Sequence, residues 1–245
     1  MSAYRFPKLA LDVGNTATKL AFWQDVNAPI QFLNIANTQD LFALIVQKNV
    51  NSLAYCKSGK LDARTETALQ EYVPQAISLT HETPIKLQNN YLTPHTLGMD
   101  RLAAAIGAAS EFPNQSSLIA DAGTCLTLDF LENGQIFWGG NISAGLAMRL
   151  KSLHQYTAKL PELDLAAMPQ PCALIGQSTA QAMYSGAMNG LIYEIEGTYK
   201  ALQARHGHLA LLLCGGNSSL IERCLSVSFI RAENLVLKGL LHLLA

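Results

Sequence analysis

The chain has 245 residues, of which 49% are hydrophobic and only 14% charged, with a net charge of −1. This composition predicts a packed globular protein rather than a disordered one. Without a basic excess, extended contact with a phosphate backbone is not expected, so nucleic acid is excluded as a partner.

No apolar run approaches the ~18 residues that a bilayer requires, and Met1 to Leu11 lacks the h-region of a signal peptide. No membrane partner is expected. Cys56, Cys125, Cys172, Cys214 and Cys224 are far apart, with no C-x-x-C pair. That spacing speaks against a disulfide framework and a zinc site, and fits a reducing, cytoplasmic compartment.

In chain order, Lys8 to Trp23 (KLALDVGNTATKLAFW) reads as a strand, a glycine turn and a second strand. After the break at Asn27-Ala28-Pro29 a third strand is predicted over Ile30–Ile35. Then come a helix Thr38–Lys48, a strand Ser52–Cys56, a helix Lys60–Tyr72, a strand Ala76–Leu79 and a helix Met99–Phe112. Ser117 to Phe130 (SLIADAGTCLTLDF) repeats the opening hairpin. Its alternation, Leu126, Leu128 and Phe130 against Thr127, Asp129 and Leu131, predicts one mostly buried face. Glu132-Asn133-Gly134 marks a hairpin turn, followed by a strand Gln135–Ile142. A helix near Gly145, a long helix Gln177–Arg205, a strand Leu209–Cys214, a helix Ser218–Cys224, a strand Val227–Ile230 and a helix Asn234–Leu244 complete the chain. Motif, hairpin and downstream order all recur, so the reading is a duplicated α/β protein, with halves at 1–115 and 116–245. The plainer alternative is one ordinary α/β domain with two similar turns.

A triphosphate with its metal needs backbone N–H donors, hydroxyls and a carboxylate close together. Asp12-Val13-Gly14-Asn15-Thr16 offers these, with Lys19 on the outgoing strand, and Asp121-Ala122-Gly123-Thr124 offers a second set. As a pair facing each other across a cleft, such turns could grip a triphosphate from both sides. Neither turn leads into a helix, as a P-loop or Rossmann turn would. Gly215-Gly216-Asn217, after an apolar strand, would let an adenosine lie against backbone; a simple strand-to-helix turn explains it equally well. Asp100, in the first turn of an Ala-rich helix, is placed to orient a substrate hydroxyl and accept its proton, with Arg101 holding a negative group. Alternatively, Asp100 stabilises the helix start and Arg101 is a solvated surface charge.

In order and approximate spacing, these motifs resemble those of the type III pantothenate kinases, of the acetate and sugar kinase, Hsp70 and actin superfamily. The resemblance is carried by D-V-G-N-T-x-x-K at Asp12–Lys19, Y-x-x-P-x-x-L-G-x-D-R at Tyr91–Arg101 and D-A-G-T at Asp121–Thr124. Gly139-Gly140 with Gly145, Leu160-Pro161, Thr179 through Gly186 and Gly215-Gly216 complete it. It implies two ribonuclease H-like (actin-like ATPase) halves with a cleft between them, and transfer of the γ-phosphate of ATP to pantothenate, the first step towards coenzyme A. It further implies that Asp12, Val13, Gly14, Asn15, Thr16, Ala17, Thr18, Lys19, Thr124, Gly215 and Gly216 bind ATP, and that Asp100 accepts the proton. Tyr91, Gly98, Met99, Asp100, Arg101 and Thr179 would bind pantothenate. Asp12 would hold Mg2+ through water, and Asp121 a monovalent cation (K+ or NH4+). A homodimer is implied as well. Ala144, where the family pattern has proline, and Cys214, where threonine is more usual, depart from that pattern at positions without chemistry. Two alternatives share the scaffold: a kinase for another small hydroxylated acceptor, and a non-catalytic nucleotide-binding regulator.

The remaining polar and sulfur-bearing residues have plainer expectations. The six histidines are expected in structural or surface roles, with His206 and His208 at a helix end. Met148, Met183 and Met188 are read as core, Trp23 and Trp138 as packing, and Gly186 and Gly190 as allowing a partner helix close.

Overall fold

A computed structural model describes residues 4–14, 16–59 and 61–245. Its elements are β1 (Lys8–Val13), β2 (Thr18–Trp23), β3 (Gln31–Ile35), α1 (Thr38–Gln47), β4 (Ser52–Lys57), α2 (Ala63–Tyr72), β5 (Gln75–Ser78), β6 (Gln88–Asn89) and α3 (Met99–Glu111). After these come β7 (Ser117–Ala122), β8 (Cys125–Glu132), β9 (Ile136–Ala144), α4 (Leu146–Gln155), α5 (Thr179–His206), β10 (Ala210–Cys214), α6 (Ser218–Ile221), β11 (Ile230–Arg231) and α7 (Leu235–Leu243). Two compact units result. The first holds the chain up to Asn114 with Asn133–Phe137 and Asn234–Ala245, and the second holds Gln115–Glu132 and Trp138–Glu233.

In the first unit the sheet order is β3-β2-β1-β4-β5, antiparallel from β3 to β1 and parallel from β1 to β5. Successive side chains on a strand point to opposite faces. Leu9, Leu11 and Val13 therefore join Leu20, Phe22, Leu53 and Tyr55 in a core beneath Leu41 and Ile45 of α1 and Leu69 of α2. The other face carries small residues, Ala10, Ala21 and Ala54, all fully buried. There α7 packs on β1, β2 and β4, and α3 packs on β4 and α7. The two helices meet at glycines: a methyl on Gly107 would strike the Leu235 carbonyl, and one on Gly239 the Ala103 carbonyl. Lys8, buried on this face, donates to the Leu244 carbonyl and lies 4.5 Å from the Phe6 ring centroid. Trp23 packs edge-on against Phe6 at 5.0 Å, as expected.

In the second unit the order β9-β8-β7-β10-β11 repeats the first, with β7 antiparallel to β8 and parallel to β10, and β10 parallel to β11. The short β6 adds to the start of β9, pairing Gln88 with Ile136 and Asn89 with Phe137. This is the duplication expected from the repeated hairpins, in the ribonuclease H-like, actin-like ATPase arrangement that the resemblance implied. Leu118, Ala120, Leu126, Leu128 and Phe130 form one core with residues of α4 and α5.

Several local expectations are corrected. β8 is buried on both faces towards its end, with Asp129 only 2% and Leu131 0% exposed. Lys60, where α2 was expected to begin, lies outside the described residues. The helix starts at Ala63, because the Asp62 carboxylate accepts the Thr65 N–H (3.0 Å) and hydroxyl (2.7 Å), a strong N-cap. The α6 helix stops at Ile221, and β11 begins only at Ile230. Before it, the Ser226 N–H and hydroxyl donate to Glu196 at 2.6 and 2.8 Å, which takes that residue out of a strand ladder.

Trp138 is 49% exposed and donates to Glu132 at 2.8 Å, since Phe137 takes the inward position of β9. Met148 is 41% exposed because α4 turns Leu146 and Leu150 inward, leaving the residue between them outside. At Gly186 an added methyl would meet nothing within 4 Å among the described residues.

Candidate active site

β1 leaves the first sheet at Val13, and the Gly14 N–H donates to the Ala17 carbonyl at 3.1 Å, closing a tight turn into β2. Asn15 lies outside the described residues; Thr16 and Ala17 are exposed at the tip. The Val13 carbonyl accepts from the Ser58 and Gly59 N–H groups at 3.1 and 2.8 Å, tying the turn to the end of β4. The register pairs Asp12 with Lys19 on β2 and with Cys56 on β4, and Val13 with Thr18. Paired residues share a face. Lys19, Asp12 and Cys56 thus form a row across three strands, on the face that α3 and α7 cover.

The Cys56 thiol donates to Asp12 Oδ1 at 3.6 Å. Burial first, and then the Asp12 and Asp100 carboxylates, push this thiol well above its usual range. It is a neutral donor, and both carboxylates lie near it. Asp100 lies in the first turn of α3, and α3 packs on β4, the strand that bears Cys56. Asp100 Oδ1 accepts from the Arg101 N–H at 2.9 Å, and a methyl on Gly98 would stand 2.5 Å from that oxygen. Asp100 therefore does steady the helix start.

Arg101 corrects an expectation. It is 5% exposed, not a solvated surface charge, because the whole of Arg101–Ala108 is enclosed in the packing of α3. Its guanidinium lies 5.5 Å from the Tyr91 ring centroid, and the Tyr91 ring stands 6.4 Å from that of Phe137. A cation over an aromatic face is favourable where water is excluded. Tyr91 and the Gly98–Arg101 segment are thereby brought together, with Met99 half-buried among them.

In the second unit Asp121 pairs with Thr127 on β8 and with Cys214 on β10, the position in the repeat that Asp12 holds in the first. The Gly123 N–H donates to the Cys125 carbonyl at 3.0 Å, and Thr124 is exposed at the tip. Gly215 has φ +90° and packs so closely that a methyl would sit 2.5 Å from the Ala122 backbone. Only glycine suits that conformation at such an approach. Gly216 is exposed, with nothing within 4 Å of an added methyl. Thr179 opens α5, exposed, after the Ser178 cap, whose hydroxyl accepts the Gln181 N–H at 3.3 Å.

Cys56 escaped the sequence reading, and Asn217 entered it only as the last residue of the Gly215-Gly216-Asn217 turn. Cys56 carries no motif; it meets Asp12 only through the parallel register of β1 and β4. Asn217 follows the Gly215-Gly216 pair directly, and that position was the available signal. It donates from its N–H to the Ala122 carbonyl (2.9 Å) and from Nδ2 to the Gly123 carbonyl (3.3 Å).

Among the described residues, no group of three or more His, Cys, Asp or Glu could cage a metal. A magnesium carried by a nucleotide needs only one or two carboxylates besides phosphate and water. Asp12, with Asp100 near the same thiol, fits that requirement.

The sequence pattern of the type III pantothenate kinases matches residues 8–201. The type III pantothenate kinase of Flavobacterium psychrophilum is 34% identical over 246 residues, covering 96% of this chain and 97% of that protein. Two solved structures share the fold at low identity. A protein named as a Baf family transcriptional activator, from Campylobacter jejuni, has a TM-score of 0.56 at 19% identity and covers 96% of each chain. A protein named as a 2-dehydro-3-deoxygalactonokinase, from Sinorhizobium meliloti, has a TM-score of 0.54 at 15% identity, covering 96% of this chain and 97% of that one.

Proposed function

The chain belongs to the type III pantothenate kinase family, and from that premise we propose that it phosphorylates pantothenate with ATP, Asp100 accepting the proton. The product is 4′-phosphopantothenate, the first step of coenzyme A synthesis. The observation that supports the residue assignment is the hydrogen bond of the Cys56 thiol to Asp12, on the strand against which α3, bearing Asp100 in its first turn, packs.

In this reading Asp100 takes the proton of the pantothenate hydroxyl as its oxygen bonds to the γ-phosphorus and ADP leaves. Asp12 to Lys19 hold the phosphates, and Lys19, in register with Asp12, sets a positive charge beside them. Magnesium, when bound with ATP, neutralises further phosphate charge, held by Asp12 through water. Thr124, Gly215 and Gly216 contact the nucleotide. Tyr91, Gly98, Met99, Arg101 and Thr179 contact pantothenate, the buried Arg101 guanidinium suiting the acceptor's carboxylate. We assign Asp121 to a monovalent cation, potassium or ammonium.

We also propose a homodimer formed through the outer face of α5, where Gly186 and Gly197 leave open space and Tyr193 is exposed. The compartment proposed is the cytoplasm, whose reducing conditions suit five cysteines joined by no disulfide.

Purified protein with Mg-ATP and potassium is expected to release ADP only when pantothenate is added, and not with a panel of sugars and polyols. Asp100→Asn is expected to lower turnover by ~10²-fold or more without unfolding the protein. Undiminished turnover in that variant would remove Asp100 from the mechanism, and equal activity on the sugars would remove pantothenate as the acceptor.

A further inference from the structure

A loop that receives an anion has to present N–H groups and keep its carbonyl oxygens, which carry negative partial charge, out of the way. In the second unit the turn Asp121–Thr124 has three consecutive carbonyls, and each is engaged from behind. Asn217 N–H donates to Ala122 O at 2.9 Å, Asn217 Nδ2 to Gly123 O at 3.3 Å, and Gly145 N–H to Thr124 O at 3.2 Å. The donors come from two separate corners, the β10–α6 turn and the β9–α4 junction.

Each corner has a glycine where a side chain would collide with the loop. A methyl on Gly215 would sit 2.5 Å from Ala122, and one on Gly145 would strike the Gly123 and Thr124 carbonyls. The second corner is braced in turn. Arg149 Nε donates to Ala144 O at 2.7 Å, and its Nη2 donates to Glu194 Oε1 at 2.7 Å and to Ser143 Oγ at 3.3 Å. The Ser143 hydroxyl donates to Glu194 Oε2 at 2.6 Å, which closes the network. A guanidinium that binds a carboxylate and a carbonyl at once is fixed in direction.

We propose that Asn217 is a positioning residue for the second phosphate loop: its two N–H groups turn the Ala122 and Gly123 carbonyls away from the phosphates of ATP, while the Arg149-braced Gly145 corner does the same for Thr124. The inference rests on the reading that Asp121–Thr124 contacts ATP. It separates the roles within Gly215–Asn217: Gly216 borders open space, whereas Gly215 and Asn217 face the loop.

The test compares binding of inorganic tripolyphosphate, ATP and adenosine to the full chain by calorimetry with magnesium present. Asn217→Ala is expected to weaken tripolyphosphate and ATP by about fivefold, the scale of one lost hydrogen bond, and to leave adenosine unchanged. In turnover it raises KM for ATP while KM for pantothenate stays. Asn217→Ser, which retains a donor, recovers part of the loss. Gly145→Ala, acting from the other corner, gives the same tripolyphosphate signature. Weakened adenosine binding with tripolyphosphate unaffected would make Asn217 a direct nucleoside contact and overturn the proposal, as would no change in either ligand. If wild-type protein binds tripolyphosphate but does not phosphorylate pantothenate, the proposed function fails by itself and the loop comparison still stands.

Discussion

Cys56 occupies a place where a sequence motif gives no warning: a buried thiol donating to the carboxylate that begins the first glycine turn. Being neutral, it gives Asp12 a donor without adding charge. Cys56→Ser retains an O–H donor, and a coupled ADP-release assay is expected to find it close to wild type. Cys56→Val leaves Asp12 without this donor and is expected to lower kcat/KM for ATP by about fivefold; equal activity of the two variants would show that the contact is incidental.

Glu196 is the corresponding residue outside the site. Burial opposes its ionisation, but the Ser226 N–H and hydroxyl and the Lys200 ammonium outweigh it and hold the carboxylate below its ordinary value of 4.5. A carboxyl group depressed by folding contributes stability that is complete above its unfolded value and is lost as pH falls through the folded one. Denaturant midpoints are therefore expected to fall below pH 4.5 more steeply for wild type than for Glu196→Gln; parallel curves would deny Glu196 this role.

At the level of elements, α3 and α7 show how packing brings chemistry into position. Small residues on one sheet face and facing glycines on the two helices let backbone approach backbone, and α3 is held against β4. Gly239→Ala inserts a methyl against the Ala103 carbonyl. It is expected to cost ~1–3 kcal/mol, the range of an overpacked core, read as a lower midpoint in chemical denaturation. Because α3 bears Asp100, kcat is expected to drop as well; a full-activity, full-stability variant would mean the helices can part without consequence. Helix and strand types were legible along the chain because periodicity is local. The starts of α2 and β11 were not, because each depends on one side chain: Asp62 catching Thr65, and Glu196 catching Ser226.

At the scale of the whole molecule, the repeated strand order places Asp12 and Asp121 at matching positions, each next to a cysteine on the neighbouring parallel strand. The units do not follow chain order, since α7, at the chain's end, belongs to the first of them. Ending the chain before Asn234 uncovers Ala10, Ala21 and Ala54 and removes the Lys8 contact with Leu244. Hydrogen exchange is then expected to show lost protection in β1 and β4, with β7 and β10 better preserved; unchanged protection in β1 would make α7 dispensable to its unit.

The residues by themselves determined the duplicated hairpins, the order of strands and helices, the two Asp-x-Gly turns and, through resemblance, the family. Those properties are written in neighbouring positions: turn chemistry, alternation and glycines at fixed offsets. Tertiary structure alone decided that Cys56 meets Asp12 across 44 positions of chain, that Arg101 is buried beside Tyr91, and that Asn217 lies behind the second loop. Parallel register and helix-on-sheet packing depend on burial summed over distant segments, and no local pattern encodes that sum.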